Sequence, residues 1–214
     1  MKNKKIIKVI LLSIFIILLI IVIYVLRNFI IITNLQDNLT PYLSSTNYHL
    51  KTVCDGDRTS SIVNYYTKDG KQVVIRENYA NGVTNKVSMY DNGEIIISYY
   101  DNVTDKIVKL NIPSKISVNI MSYFEGLFEG TMQKIYMSAM LKIQNTEYNG
   151  KSCYIISPLF SNETTVEYIE KDTGLCLKAI MYGETVEKEY EFANVDDEVF
   201  IEPDISEYTI KEEN

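Results

Sequence analysis

The chain has 214 residues, 46% of them hydrophobic, and a formal net charge of −7 at pH 7. Residues 1–27 hold Lys2, Lys4, Lys5, Lys8 and Arg27 and no acid, so the other 187 residues carry −12, the −7 less this +5. A surplus of carboxylates on that scale repels phosphate backbones and anionic headgroups alike, and with no basic stripe interleaved with aromatics it excludes nucleic acid as a partner.

The 18 residues from Val9 to Leu26 contain one Ser, one Tyr and no charge. At about 1.5 Å per residue this is close to the minimum that spans a bilayer core. Lys8 and Arg27 extend it by snorkelling, and the "FIII" after Asn28 lets the apolar helix continue to Ile32 with a tilt. Four lysines precede the span and only Arg27 follows it closely, which predicts a cytoplasmic N-terminus and an exported remainder, at the cell membrane in single-pass form. No small-x-small cleavage site follows, and the nearest cysteine is Cys54, so the expectation is a permanent signal anchor rather than a cleaved signal or a lipidated lipoprotein. The chain then divides into a basic tail (1–8), an anchor (9–32), an extracytoplasmic domain (33–210) and an acidic tail (211–214).

Leu35, Leu39, Tyr42 and Leu43 recur at helical spacing, with Pro41 placed in a first turn, and predict a short helix leading into a strand near Tyr48–Val53. From there the texture changes to period two, with turn signals "KDG" (68–70), "ANG" (80–82), "DNG" (91–93) and "DN" (101–102). The runs between them, "SIVNYYT", "QVVIREN", "KVSMYD", "EIIISYY" and "KIVKLNI", are rich in Val, Ile and Tyr and read as antiparallel hairpins. After Pro113, Met121, Phe124, Phe128, Met132, Ile135 and Ala139 form one helical stripe running towards Ile143, with Gly126 and Gly130 expected to kink or split it.

Strands resume at "KSCYIISPL", "TTVEYIE", "LCLKAIMY" and "TVEKEYEFANV", the middle two joined by "KDTG", where Gly174 suits a left-handed loop position. A register with Glu170 opposite Leu175 places Glu167 against Lys178 and sets Cys153 and Cys176 two strands apart, about 10 Å and beyond disulfide reach. In the last of these strands Val186, Tyr190 and Phe192 face one way and Glu187, Glu189 and Glu191 face water.

Catalytic constellations are missing. The single histidine, His49, has no GxSxG-like elbow to serve, and the Asp196, Asp197 and Glu198 cluster reads as a turn. "CDGDRTS" (54–60) lacks the closing Glu of a calcium loop, and the three cysteines have no metal spacing. The expectation is a non-enzymatic domain without cofactor or metal.

The order of elements, the hairpin Asp172, Thr173, Gly174, Leu175, then Tyr190, Glu191, Phe192 and finally Phe200, Pro203, Asp204 resembles the LolA-like family of lipoprotein-sorting and envelope-lipoprotein domains. The nearest likeness is to Gram-positive members anchored at the cell surface, over residues 35–210. The family's hairpin usually has Pro where this chain has Cys176, and its soluble carriers have no anchor. The resemblance implies an α+β fold, a curved antiparallel half-barrel with helices in its concave side, around a cavity that takes acyl chains or a partner's apolar segment. The residues expected to line that cavity are Met121, Phe124, Phe128 and Ile135 from the helix and Ile97, Tyr99, Met181, Tyr190 and Phe192 from the sheet. A tethered domain cannot shuttle between membranes, so the alternatives are lipid or acyl-chain binding at one bilayer and a filled core that serves an envelope or sporulation protein partner.

Overall fold

A computed structural model describes residues 2–56, 60–80, 83–102, 105–112, 130–160 and 165–211. The chain begins with one unbroken helix, α1 (Lys2–Leu43), followed by six strands, β1 (Tyr48–Asp55), β2 (Ser60–Lys68), β3 (Lys71–Ala80), β4 (Val83–Asp91), β5 (Ile96–Asp101) and β6 (Lys106–Ile112). Helix α2 (Thr131–Met140) leads directly into β7 (Leu141–Tyr148), β8 (Lys151–Pro158), β9 (Val166–Glu170), β10 (Cys176–Met181) and β11 (Glu184–Phe192), and a short β12 (Thr209–Lys211) ends the described chain. All twelve strands join one open, curved, mixed sheet in the order β12-β6-β5-β4-β3-β2-β1-β11-β10-β9-β8-β7. The architecture is α+β. Two meanders, β1–β6 and β7–β11, meet where β11 pairs antiparallel with β1.

Several sequence expectations change here. The sheet is not purely antiparallel, because the chain after β11 crosses to the far edge and β12 joins β6 in parallel. The separate helix predicted at 35–43 is the distal end of α1; nothing in "TNLQDNLT" breaks a helix, and Pro41 falls in its last turn instead of its first. The helix expected to run to Ile143 stops at Met140: Leu141 and Ile143 are buried while Lys142 and Gln144 are exposed, the period-two signature of an edge strand. Gly130, at φ 90°, sits immediately before α2 and starts that helix; Gly126, the other glycine at which a kink or split is expected, lies outside the described residues.

The β9–β10 register also departs from expectation. Glu170 N–H donates to Leu175 O as expected, but a bulge between Cys176 and Lys178 slips the pairing by one, so Glu167 lies opposite Ala179 and Lys178 opposite Tyr168. Glu167 is therefore buried, at 1% exposure, and Lys178 finds its carboxylate across the other neighbour, 3.0 Å from Glu187. Cys153 and Cys176 do stand two strands apart, and the three cysteines are free thiols.

The distal half of α1 lies on one face of the sheet. Ile31, Ile32 and Leu35 pack with Leu141, Ile143, Ile156 and Ile169, and one turn further Leu39 packs with Tyr48, Leu50 and Leu175. Of the apolar run beyond Arg27, Ile31 and Ile32 are thus taken up by the protein core while Ile30 stays exposed, whereas the side chains from Val9 to Ile23 are exposed along the whole helix circumference. This helix is long and apolar enough to cross a membrane. Gly174, at φ 72°, lets the β9–β10 hairpin come up against α1: a Cβ there would stand 2.3 Å from Leu35 O.

Candidate functional site

Where α1 ends over the sheet, an open cleft of about 310 Å³ is left between the helix, strands β10 and β11, and the β9–β10 hairpin. Its apolar wall is Tyr42 from α1, Leu175 and Leu177 from β10 and its approach, and Tyr190 and Phe192 from β11. Period-two alternation puts Tyr190 and Phe192 on the helix-covered face, opposite Leu50 and Tyr48. The Phe192 ring lies 4.7 Å from that of Tyr42 and 6.3 Å, stacked, from that of Tyr190. Tyr190 hydroxyl donates to Cys176 O at 3.0 Å, which fixes the ring as part of the wall.

The rim is polar. Glu170, only 9% exposed, accepts from Thr173 Oγ1 at 2.7 Å and pairs with Lys151 Nζ at 3.1 Å. Thr173 Oγ1 in turn accepts from Leu175 N–H, so the hairpin, the carboxylate and the lysine form one connected arrangement. Asn38 on α1 donates to Lys171 O at 2.8 Å and ties the helix to the same turn. Lower on the rim Tyr148 donates to Glu187 at 2.7 Å; burial, and then this bond, push the Tyr148 hydroxyl up to about 12. The same bond and the Lys178 ammonium hold Glu187 below the ordinary glutamate range.

Of the residues predicted to share a cavity, Tyr190 and Phe192 do meet in this cleft. Tyr99 and Ile97 do not: β5 is five strands from β11, about 24 Å along the sheet at 4.8 Å per strand, and both residues point to the opposite face. Tyr99 is buried there between Tyr90 and Tyr208, its hydroxyl donating to Glu202 at 2.9 Å, and burial foremost drives its ionisation far upward. Met181 closes the far end of β10 opposite Glu184. Ile135 lies on the outer side of α2, 44% exposed, rather than facing the sheet. Met121, Phe124 and Phe128 lie outside the described residues. Tyr42, Leu177 and Glu170 were not foreseen; Thr173 and Leu175 were, as part of the hairpin motif, but not as a site.

His49 is held by Asn64 at 3.0 Å, stacks on Tyr66 at 4.4 Å and has Glu191 as its carboxylate neighbour at 3.8 Å, with no Ser or Cys among these partners. Among the described residues no group of three His, Cys, Asp or Glu is placed to hold a metal ion. No protein-family model matches the chain, and no curated protein matches it.

Proposed function

We propose that the chain is a membrane-anchored, extracytoplasmic, non-enzymatic binding domain whose cleft holds one apolar chain, an acyl tail or an equivalent segment of a partner, at the cell envelope. The observation that carries this reading is the cleft itself: an aromatic and leucine wall, left open to solvent, beside a rim of Lys151, Glu170 and Thr173 able to meet a polar head. Its volume lies at the low end of the roughly 300–1,000 Å³ typical of small-molecule sites, which suits a single chain and not a diacyl lipid. The N-in, C-out orientation rests on the lysines before Val9. Support for a LolA-like half-barrel comes from the element order: a helix, a six-strand meander, a second helix, and a five-strand meander returning to β1.

The test is photo-crosslinking of the full chain, in detergent, with a fatty acid carrying a diazirine on its tail. Adducts mapped by mass spectrometry should concentrate at Tyr42, Leu175–Leu177 and Tyr190–Phe192 and be competed by unlabelled fatty acid. Adducts confined to Val9–Leu26, where any hydrophobic probe partitions, would refute the cleft as a binding site.

A further inference from the structure

We infer that the outer face of α2, together with the Leu159–Phe160 loop, is a second membrane contact: a patch that docks into the headgroup layer beside the point where α1 leaves the bilayer. This rests on the reading of Val9–Leu26 as a span. Met132, Ile135, Tyr136 and Met140 occupy one stripe of α2 and are all exposed, Met132 at 79%; Phe160 is 80% exposed and Leu159 is exposed beside it. The other side of α2 is already occupied, since Met137 packs on the α1 core cluster and Ser138 is fully buried. A helix apolar on both sides needs a second apolar surface.

The height of this patch is set by hydrogen bonds to α1. Tyr24 hydroxyl donates to Leu141 O at 2.6 Å, Asn28 Nδ2 donates to both Ser138 O and Leu141 O at 2.9 Å, and Arg27 donates to Ile143 O at 3.2 Å. Leu159 N–H donates to Met140 O at 2.8 Å, which brings the loop to the same level. Tyr24 to Asn28 is the segment where a helix spanning from Val9 to Leu26 crosses the outer interface. The end of α2 and the Leu159–Phe160 loop are thus pinned at the depth of the headgroups, where Tyr136 and Phe160 suit the interfacial aromatic belt.

Charge does not oppose this occupant. Although the chain beyond Arg27 carries −12 overall, Gly130–Thr146 holds no carboxylate, so the acidic surplus does not oppose a headgroup layer there. A bilayer surface covers the apolar stripe and meets no carboxylate from this segment.

The chain contains no tryptophan, so a single Trp reports on its own position without background. Full-chain Phe160→Trp, Leu18→Trp and Leu43→Trp are reconstituted separately in two sets of phosphatidylcholine–phosphatidylglycerol vesicles, one with lipids brominated near the headgroup end of the acyl chain, to reach Phe160→Trp, and one with lipids brominated near its methyl end, to reach Leu18→Trp at the middle of the span. Phe160→Trp and Leu18→Trp should both lose emission to the bromines, and Leu43→Trp, at the distal end of α1, should not. Quenching of Leu18→Trp without Phe160→Trp would overturn the docking face and leave the anchor intact. A blue-shifted but unquenched Phe160→Trp would mean that protein, such as a second copy, covers the patch, and would equally overturn it. If neither Leu18→Trp nor Phe160→Trp were quenched, the span and the docking face would fall together.

Discussion

Substituting Gly174 by Ala tests whether α1 and the sheet form one rigid unit. The new Cβ would stand 2.3 Å from Leu35 O and 2.9 Å from Leu39 Cβ, and the nearer obstacle is backbone that no rotamer change can move. To restore an ordinary contact of about 3.4 Å, α1 must retreat by roughly 1 Å, a gap that forfeits a quarter to a half of each dispersion contact it loosens. Those contacts include Ile32, Leu35 and Leu39, all buried. Overpacking costs about 1–3 kcal/mol and the left-handed conformation of a non-glycine residue adds about 1 kcal/mol or more, so the expected loss is about 3 kcal/mol. For a chain of this size that lowers the melting temperature by roughly 6–12 °C, read in detergent by circular dichroism. Gly70→Ala is the control: its φ is 81° but nothing lies within 4 Å of its Cβ, so only the conformational cost of about 1 kcal/mol applies. Equal shifts for the two variants would refute the claim that the hairpin is clamped against α1.

Asn28→Ala removes a fully buried side chain whose amide bonds two carbonyls at the α2–β7 junction; Leu141 O keeps Tyr24, but Ser138 O loses this donor, so about 2 kcal/mol should be lost and amide exchange across β7 should quicken. Asn28→Asp should not restore protection, because a carboxylate accepts and does not donate. Glu187 has a depressed folded-state pKa, so the stability it contributes is present above the ordinary 4.5 and lost as pH falls through the lower folded value; Tyr148, raised from 10.0 to about 12, contributes stability that is present below pH 10 and lost as pH rises through 12. Tyr148→Phe should therefore flatten the melting temperature against pH at both ends, and an unchanged profile would show that their hydrogen bond contributes nothing.

The hairpins were legible because local chemistry fixes them. "KDG" and "DNG" place glycines at positive φ where only a turn accommodates them, and the Val-, Ile- and Tyr-rich runs between have one sheet-compatible period. Gly174 was legible for the same reason. The bulge at Leu177 was not, since it depends on β10 satisfying β9 and β11 at once, and a one-residue slip changes Glu167 from a surface partner of Lys178 into a buried side chain. Tyr190 and Phe192 could be assigned to the site by alternation alone, but Tyr42 enters it only through the angle at which α1 crosses the sheet. Tyr99 was misassigned because "EIIISYY" is apolar on both faces and carries no signal of which one is inward. Leu141–Tyr148 did alternate visibly, yet its first residues also continued the helical stripe of Met132, Ile135 and Ala139.

The continuity of α1 also decides what kind of chain can reach the cleft. Tyr42 lies sixteen residues beyond Leu26, about 24 Å along the axis at 1.5 Å per residue. With Val9–Leu26 spanning the bilayer as proposed, even at a tilt of about 40° the cleft would stand roughly 18 Å outside the bilayer core. A diacyl phospholipid seated in the membrane cannot place its tail there, whereas a desorbed fatty acid, or an acyl chain carried on a polypeptide, can. With a diazirine on the tail of a phospholipid in vesicles, adducts should therefore appear along Val9–Leu26 and on the α2 stripe but not at Tyr42, Leu175 or Phe192. With the same diazirine on a free fatty acid, added to vesicles of unlabelled lipid, the cleft residues should be labelled as well. Equal labelling of the cleft by both probes would mean that the domain folds down onto the membrane, which the Gly174 contact and the Asn28 hydrogen bonds, by fixing α1 to the sheet, forbid.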